Sequence, residues 1–455
     1  MKMNKRSLKR LGRGLPALSL AIAACSSSSP TSSASTGSTS AQTANAGNFA
    51  NTVFLGDSLT AGYQSSSLLD IQQVHGWAPL VAKQAKFNII QPLIAYPGAP
   101  NVLQLVSPGP PPVIATAPGA TTGRENYAVQ ITDLAVPGAY VNDVANTVPV
   151  LDPTSEQEQL NRLVLGSPGL DHGDADSQAS FAVKAEPTTI FLWIGNNDAL
   201  IANLTGSAAN MTSVEDFATQ YKALMAKLTG QTNAHLVIGN IPDVTQIPYL
   251  TPAATILAMY AQATGLSKAR LSSLFGIVPG DYITPEGTTQ ITAILAGTQK
   301  APLDDIGVLT AAEAVTVQQR VAAFNQVIAA SASTTGATLV DIHALFAQVA
   351  ANGLTVNGYT GTSAFLGGFF SLDGIHPTNT GYAVVANKFI DTMNANIGTK
   401  IAPIALEPIA ATDPLWPPNL SKATAEHVAI PANAGAALND LLLPTDTSKS
   451  EKKAS

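Results

Sequence analysis

The chain is poor in cysteine, in charge and in long apolar runs. It has a single cysteine, Cys25, among 455 residues. The body beyond it therefore holds no intrachain disulfide, no Cys-based metal site and no catalytic thiol. Charged residues make up 12%, which is low for a soluble surface. Surface polarity must then come from Ser, Thr, Asn, Gln and Gly, a composition that points outside the cytoplasm. The apolar run Leu15 to Ala24 is too short to span a bilayer. Basic residues are also the minority, 23 against 30 acidic, for a net charge of −7. An acidic protein repels phosphate backbones, and no basic stripe interleaved with aromatics offsets that. Nucleic acid is excluded as a partner on this reading.

Six basic residues, Lys2, Lys5, Arg6, Lys9, Arg10 and Arg13, precede the short apolar run. Residues 1–24 thus read as a signal peptide. The sequence Ile22-Ala23-Ala24-Cys25 looks like a bacterial lipobox, in which cleavage leaves Cys25 as a lipidated terminus. An ordinary secretory peptide with an incidental cysteine is the plainer alternative. Removing the leader takes Lys+Arg from 23 to 17 against 30 acidic residues, near −13. Residues 25–48 are rich in Ser, Thr, Ala and Gly, cannot bury a core, and read as a flexible tether.

Structure is expected from residue 49 onward. Short β-branched and apolar runs at Asn51–Gly56, Thr188–Gly195, Ala234–Gly239 and Ala337–Asp341 read as buried strands, with another over Ala128–Leu134. Between them lie helical periodicities. Thr212–Glu215 resembles a capping box, with Phe217, Tyr221, Leu224 and Leu228 on one face. Val317, Val321, Phe324 and Ile328 repeat that spacing, and Pro377 suits a helix start. Alternating buried strands and amphipathic helices specify an α/β fold with a parallel sheet covered on both faces. Ligands in such sheets gather at the carboxyl ends of the strands. Insertions near 97–126 and 250–310 are either lids or passive packing. The stretch 398–455 is Pro-rich; Pro403, Pro408, Pro414, Pro417 and Pro418 argue against regular structure, and Ser448–Ser455 reads as disordered.

Four stretches come in one order: Gly56-Asp57-Ser58-Leu59, Gly138, Gly195-Asn196-Asn197-Asp198 and Asp373-Gly374-Ile375-His376. Each alone is weak. Ser58 could simply cap a helix, Gly138 could form a turn after Pro137, and Asp373 could cap the helix beyond it. Together they supply a serine nucleophile, donors for an oxyanion and an acid–base pair, the parts for acyl transfer through a covalent serine intermediate.

In these four blocks the chain resembles the SGNH, or GDSL, family of serine esterases and lipases. The resemblance implies a flavodoxin-like three-layer α/β/α sandwich around a parallel sheet of about five strands, over residues 49–397. It implies Ser58 as nucleophile, His376 as general base and then acid, and Asp373 as the carboxylate that orients His376. It implies an oxyanion hole from the Ser58 and Gly138 amides and the side chain of Asn197; the family spacing Gly-x-Asn-Asp selects Asn197 over Asn196. No metal and no cofactor are implied. Asp57 is expected to order its turn rather than react.

Rival readings carry less. Asp341-Ile-His343 is a second Asp/His pair, more simply a cap and a neighbouring group. His75, His172, His235 and His427 have no catalytic neighbours in sequence. Asp171–Asp176 is acidic but lacks the following glycine and distal glutamate of a calcium loop and reads as a solvated acidic loop. The expected function is a lipid-anchored, extracytoplasmic carboxylester hydrolase acting on fatty-acyl esters or lipids, in the outer membrane if the cell is Gram-negative. Removal of acetyl groups from polysaccharides is the alternative within that chemistry, and an inactive surface-binding module is the alternative outside it.

Overall fold

The computed structural model describes residues 45–109, 112–121, 123–169 and 175–420. The expectations for the leader, Cys25, His172, His427 and the chain end fall outside those residues.

The central sheet contains β1 (Thr52–Gly56), β4 (Thr189–Trp193), β5 (His235–Gly239) and β6 (Thr338–Val340), in that spatial order. All three pairings are parallel, with Phe54 beside Phe191 and Gly56 beside Trp193. Residues of β1, β4 and β5 are buried throughout, which explains why they read as continuous apolar runs. Between β1 and β4 an insertion forms an antiparallel hairpin, β2 (Leu103–Ser107) with β3 (Val113–Thr116).

The sheet has four strands where about five were expected. The stretch expected as a strand over Ala128–Leu134 makes only an isolated parallel bridge, Phe54 to Asp133. It still lies along β1: the Phe54 amide donates to Thr132, and the Leu134 and Val136 amides donate to Phe54 and Gly56. Its other amides are taken elsewhere, since those of Thr132 and Asp133 both reach Ile90 O. Pro137 then ends the run because it has no N–H. Counting this edge segment, the order is second, first, third, fourth, fifth, the flavodoxin-like winding. The switch point lies between β1 and β4, where Ser58 and Asn197 emerge.

Helices cover both faces in three layers. On one side α1 (Trp77–Ala85) packs on α6 (Asn379–Asn396) through Trp77 and Phe389, stacked at 3.9 Å. Trp77 also meets Phe54, Phe191 and Trp193 from the sheet edge-on. Between these in sequence come α2 (Asn196–Thr205), α3 (Val214–Gln231), α4 (Ala311–Thr335) and α5 (Ile342–Asn352). Phe217 of α3 stacks on Phe324 of α4 at 4.0 Å. The buried positions of α3 include Phe217, Tyr221, Leu224 and Leu228, as their spacing requires. Its cap is Ser213 rather than Thr212, with the Asp216 amide donating to the Ser213 hydroxyl. The α6 helix starts at Asn379 under a Thr378 cap, two residues beyond Pro377.

The segment between β5 and α4 carries its own small core of Ile256, Leu271, Phe275, Ile283 and Ile291. It docks at the far end of α2, where a Cβ on Gly206 would fall 1.6 Å from Asp305 O. The β2–β3 hairpin instead puts Leu103 and Ile114 against Phe365, Leu372 and Leu415. That braces the loop bearing Asp373.

The Pro-rich tail is more regular than expected. Leu406–Thr412 is helical. Pro408 sits in its first turn, where a missing N–H costs nothing. Asp413, fully buried, then accepts from the Thr380 amide (2.8 Å) and hydroxyl (2.7 Å), tying the tail to the start of α6.

Candidate active site

Ser58 follows directly from the end of β1. At Gly56 any side chain would collide, since a Cβ would lie 2.4 Å from Trp193 O. Gln178 clamps that glycine from its free side: its carbonyl accepts from the Gly56 amide and its amide donates to Gly56 O, both at 2.9 Å. Asp57 orders the turn. Its carboxylate accepts from the Leu59 amide at 3.0 Å and from Asn196 Nδ2 at 2.8 Å. Burial pushes Asp57 up to about 6, partly offset by those bonds.

Asp373 and His376 lie on a tight loop before α6. Asp373 Oδ1 accepts from the Ile375 and His376 amides, each at 2.9 Å, and from Ser371 Oγ at 3.2 Å. Its Oδ2 accepts from the Ser66 amide at 2.8 Å and faces His376 Nδ1 at 2.9 Å. Burial opposes the charge on Asp373, but His376 and the amide donors outweigh it and hold the carboxyl below its usual value. An ionised carboxylate only accepts, so in neutral His376 the proton sits on Nδ1. That leaves the Nε2 lone pair toward Ser58 Oγ, 2.7 Å away. Asp373 therefore both shapes the loop and orients the imidazole; it does not cap α6. Ser58, Asp373 and His376 are all buried.

Asn197 and Asn196 open α2 and have different partners. Asn196 donates to Asp57, while Asn197 Nδ2 donates to Ala139 O at 2.8 Å. An amide nitrogen carries two hydrogens, so one remains for a substrate oxygen. Gly138 takes a left-handed φ of 80°, within a turn held by Gln157 Nε2 on Pro137 O at 2.8 Å. Asp198 joins the glycine and asparagine blocks, accepting from the Val141 amide (3.1 Å) and the Thr212 hydroxyl (2.7 Å). Burial pushes it up to about 7.

The rival histidines are held elsewhere. His343 Nδ1 lies 3.0 Å from Ile241 O, and Asp341 caps α5 by accepting from the Ala344 amide. His235 Nε2 lies 2.9 Å from Thr338 Oγ1 across two strands. Of the acidic stretch 171–176, the described Asp176 pairs with Lys184 at 2.5 Å. Among the described residues there is no group of three His, Cys, Asp or Glu that could hold a metal, and no helix long and apolar enough to cross a membrane.

Several positioning groups escaped the sequence reading. Ser65 and Ser66 both adopt positive φ, 50° and 58°. The Ser65 amide donates to Ser371 Oγ at 2.9 Å, and that hydroxyl donates on to Asp373. Gln178 gave no local signal, since its partner lies 122 residues away. Ser371, two residues before Asp373, is the one local clue.

A crevice opens beside Ser58, Asn196, Asn197 and His376. Its walls are Leu200, Pro242, Val244, Ile247, Phe346 and Ile375. The cavity measures about 30 Å³, on a scale where one water needs roughly 10–15 Å³.

A family model described as GDSL-like Lipase/Acylhydrolase matches residues 52–389. No curated protein matches the chain significantly. Similar solved structures include a catalytic mutant of an acetylxylan esterase from Geobacillus stearothermophilus (12% identity, 77% of this chain and 95% of that one, TM-score 0.35). A phospholipase A1 from Streptomyces albidoflavus is similar at 14% identity, 76% and 99% coverage and TM-score 0.31. A lipase/acylhydrolase from Enterococcus faecalis is similar at 13% identity, 78% and 98% coverage and TM-score 0.31.

Proposed function

The chain belongs to the GDSL-like lipase/acylhydrolase family, a family of ester hydrolases, and we propose that it cleaves carboxylic esters through an acyl-enzyme on Ser58. The 2.7 Å approach of His376 Nε2 to Ser58 Oγ carries this reading. A serine hydroxyl needs a base to remove its proton. His376 takes that proton as Oγ bonds to the ester carbonyl carbon. The imidazolium that forms is stabilised by Asp373, which stays anionic. The new oxyanion is held by the Ser58 and Gly138 amides and by Asn197. Collapse breaks the bond to the alcohol, which leaves with the proton from His376. Water then attacks the acyl-enzyme, losing its proton to His376, and the acid is released with Ser58 restored.

The same machinery handles fatty-acyl esters, lipids and acetyl groups on carbohydrates. Location follows from the sequence: a basic leader, a short apolar run and Cys25 after small residues support export and lipid anchoring outside the cytoplasm. The intact Ser58–His376–Asp373 chain of hydrogen bonds weighs against an inactive binding module.

Turnover of p-nitrophenyl acetate by wild type and Ser58→Ala tests the proposal. The variant should lose at least ~10³-fold in kcat/KM. Equal turnover would remove Ser58 from the mechanism.

A further inference from the structure

The crevice beside Ser58 has two properties that together limit what enters it. Beyond Ser58, His376 and the two asparagines Asn196 and Asn197, its walls carry no charge and no side-chain donor: they are Leu200, Pro242, Val244, Ile247, Phe346 and Ile375. A hydroxylated sugar or glycerol unit placed there would leave its polar groups unpaired, at substantial cost. An alkyl group meets no such penalty. The second property is size. At about 30 Å³ the cavity has room for only a few carbon atoms.

The walls are fixed rather than loose. Leu200 stands one helical turn beyond Asn197 on α2. Phe346, on α5, is held edge-on by Phe369 at 5.3 Å and Phe370 at 5.9 Å. Ile375 belongs to the loop of Asp373 and His376, and that loop is pinned by the Tyr249 amide on Gly374 O at 3.0 Å. The same bond steadies the chain just after Ile247. Leu200, Val244, Ile247, Phe346 and Ile375 are all buried. Close-packed walls do not yield to added methylenes without displacing neighbours.

We propose that this crevice is the acyl pocket, that it restricts the enzyme to acyl chains of about two to four carbons, and that Phe346 and Ile247 set that limit. The alcohol half of the ester then faces solvent, where polar and bulky leaving groups are tolerated. Short acyl groups become the substrate class, in place of fatty-acyl lipids. The assignment rests on Ser58 being the nucleophile, because the crevice is an acyl pocket only relative to that atom.

The full-chain enzyme would be assayed on p-nitrophenyl acetate, butyrate, hexanoate and octanoate, and on acetates of ethanol, benzyl alcohol and a pentose. Wild type, Phe346→Ala and Ile247→Ala would be compared. We expect wild-type kcat/KM to fall at least about tenfold from butyrate to octanoate, since single methylenes at a tight wall are worth ~10-fold or more. Either truncation should raise the octanoate-to-acetate ratio at least about tenfold. Varying the alcohol at fixed acetate should change kcat/KM less than varying the acid. A wild-type profile flat or rising through octanoate overturns the proposal, as does a folded variant with an unaltered ratio. Stronger dependence on the alcohol than on the acid overturns it too. Should one variant fail to give a native circular dichroism spectrum, the other variant and the wild-type profile still decide. Loss of activity in Ser58→Ala separates the two readings: it keeps the serine mechanism standing even where a flat chain-length profile sinks the acyl limit.

Discussion

The Ser66 amide donates to Asp373 Oδ2, the same oxygen that faces His376 Nδ1. Ser66 can do so only because it and Ser65 turn through the left-handed region, at φ of 58° and 50°. Non-glycine residues adopt that conformation at a cost, and it persists where the surroundings fix it. Here the fixing contacts are the Ser65 amide on Ser371 Oγ and the Leu103 amide on Ser65 O. The strained turn, the hairpin and the acid loop therefore act as one support for the imidazole.

That support predicts an effect for a residue that touches no substrate. Ser371→Ala removes one donor to Asp373 and leaves the amides in place. Hydrogen bonds to charged groups contribute ~1.5–3 kcal/mol, part of which the remaining donors recover. We expect kcat to fall about three- to tenfold with KM little changed, and Ser371→Thr to restore it. The split between kcat and melting temperature separates positioning from simple destabilisation: a positioning role lowers kcat in the folded enzyme well below its melting temperature, and Ser371→Thr rescues it. An unchanged kcat with a lowered melting temperature would assign Ser371 to folding alone.

Gln178 makes a different prediction. Its two bonds satisfy the amide and carbonyl of Gly56, both deep in the sheet. Gln178→Ala orphans the Gly56 amide, at ~1–3 kcal/mol, and leaves the Gly56 carbonyl with the Val136 amide as its donor. Thermal unfolding should shift down by several degrees, and activity should fall further than stability because Ser58 is two residues away. A variant melting with wild type would show that the clamp is dispensable.

A third expectation concerns pH. Burial pushes Asp133 up to about 8, offset in part by the Ala135 amide and Gln91, and its Oδ2 has no hydrogen-bond partner among the described residues. Its folded value lies above the model-peptide value of 3.8. Between those two values the folded state binds more protons, so stability from this group is present at low pH and lost as pH rises through about 8. Asp133→Asn keeps the shape and removes the titration. The melting temperature of the variant relative to wild type should climb by a few degrees between pH 5 and pH 8. A difference that shrinks with rising pH would reverse the sign and refute the assignment.

The strands were legible because parallel strands buried on both faces read as apolar runs, as in Thr52–Gly56 and Thr189–Trp193. The edge segment near Asp133 reads as a full strand but is not one, because only its Leu134 and Val136 amides reach β1 while those of Thr132 and Asp133 serve Ile90. Ser58, Asn197, Asp373 and His376 stood out because their blocks bring reactive groups in fixed order. What supports them was not legible. Gln178 reaches Gly56 across 122 residues, and Ser66 reaches Asp373 across 307. Such contacts are set by tertiary packing and leave no periodicity. The tail was underread for the opposite reason: prolines break a helix interior, but Pro408 stands in a first turn.

The most direct test of the account is reaction of the full chain with a small fluorophosphonate, followed by intact mass and peptide mapping. One adduct on the peptide bearing Ser58, formed in step with loss of esterase activity and strongly slowed in His376→Ala, is the predicted result. An active enzyme left unmodified, or inactivated through an adduct at another residue, would contradict it.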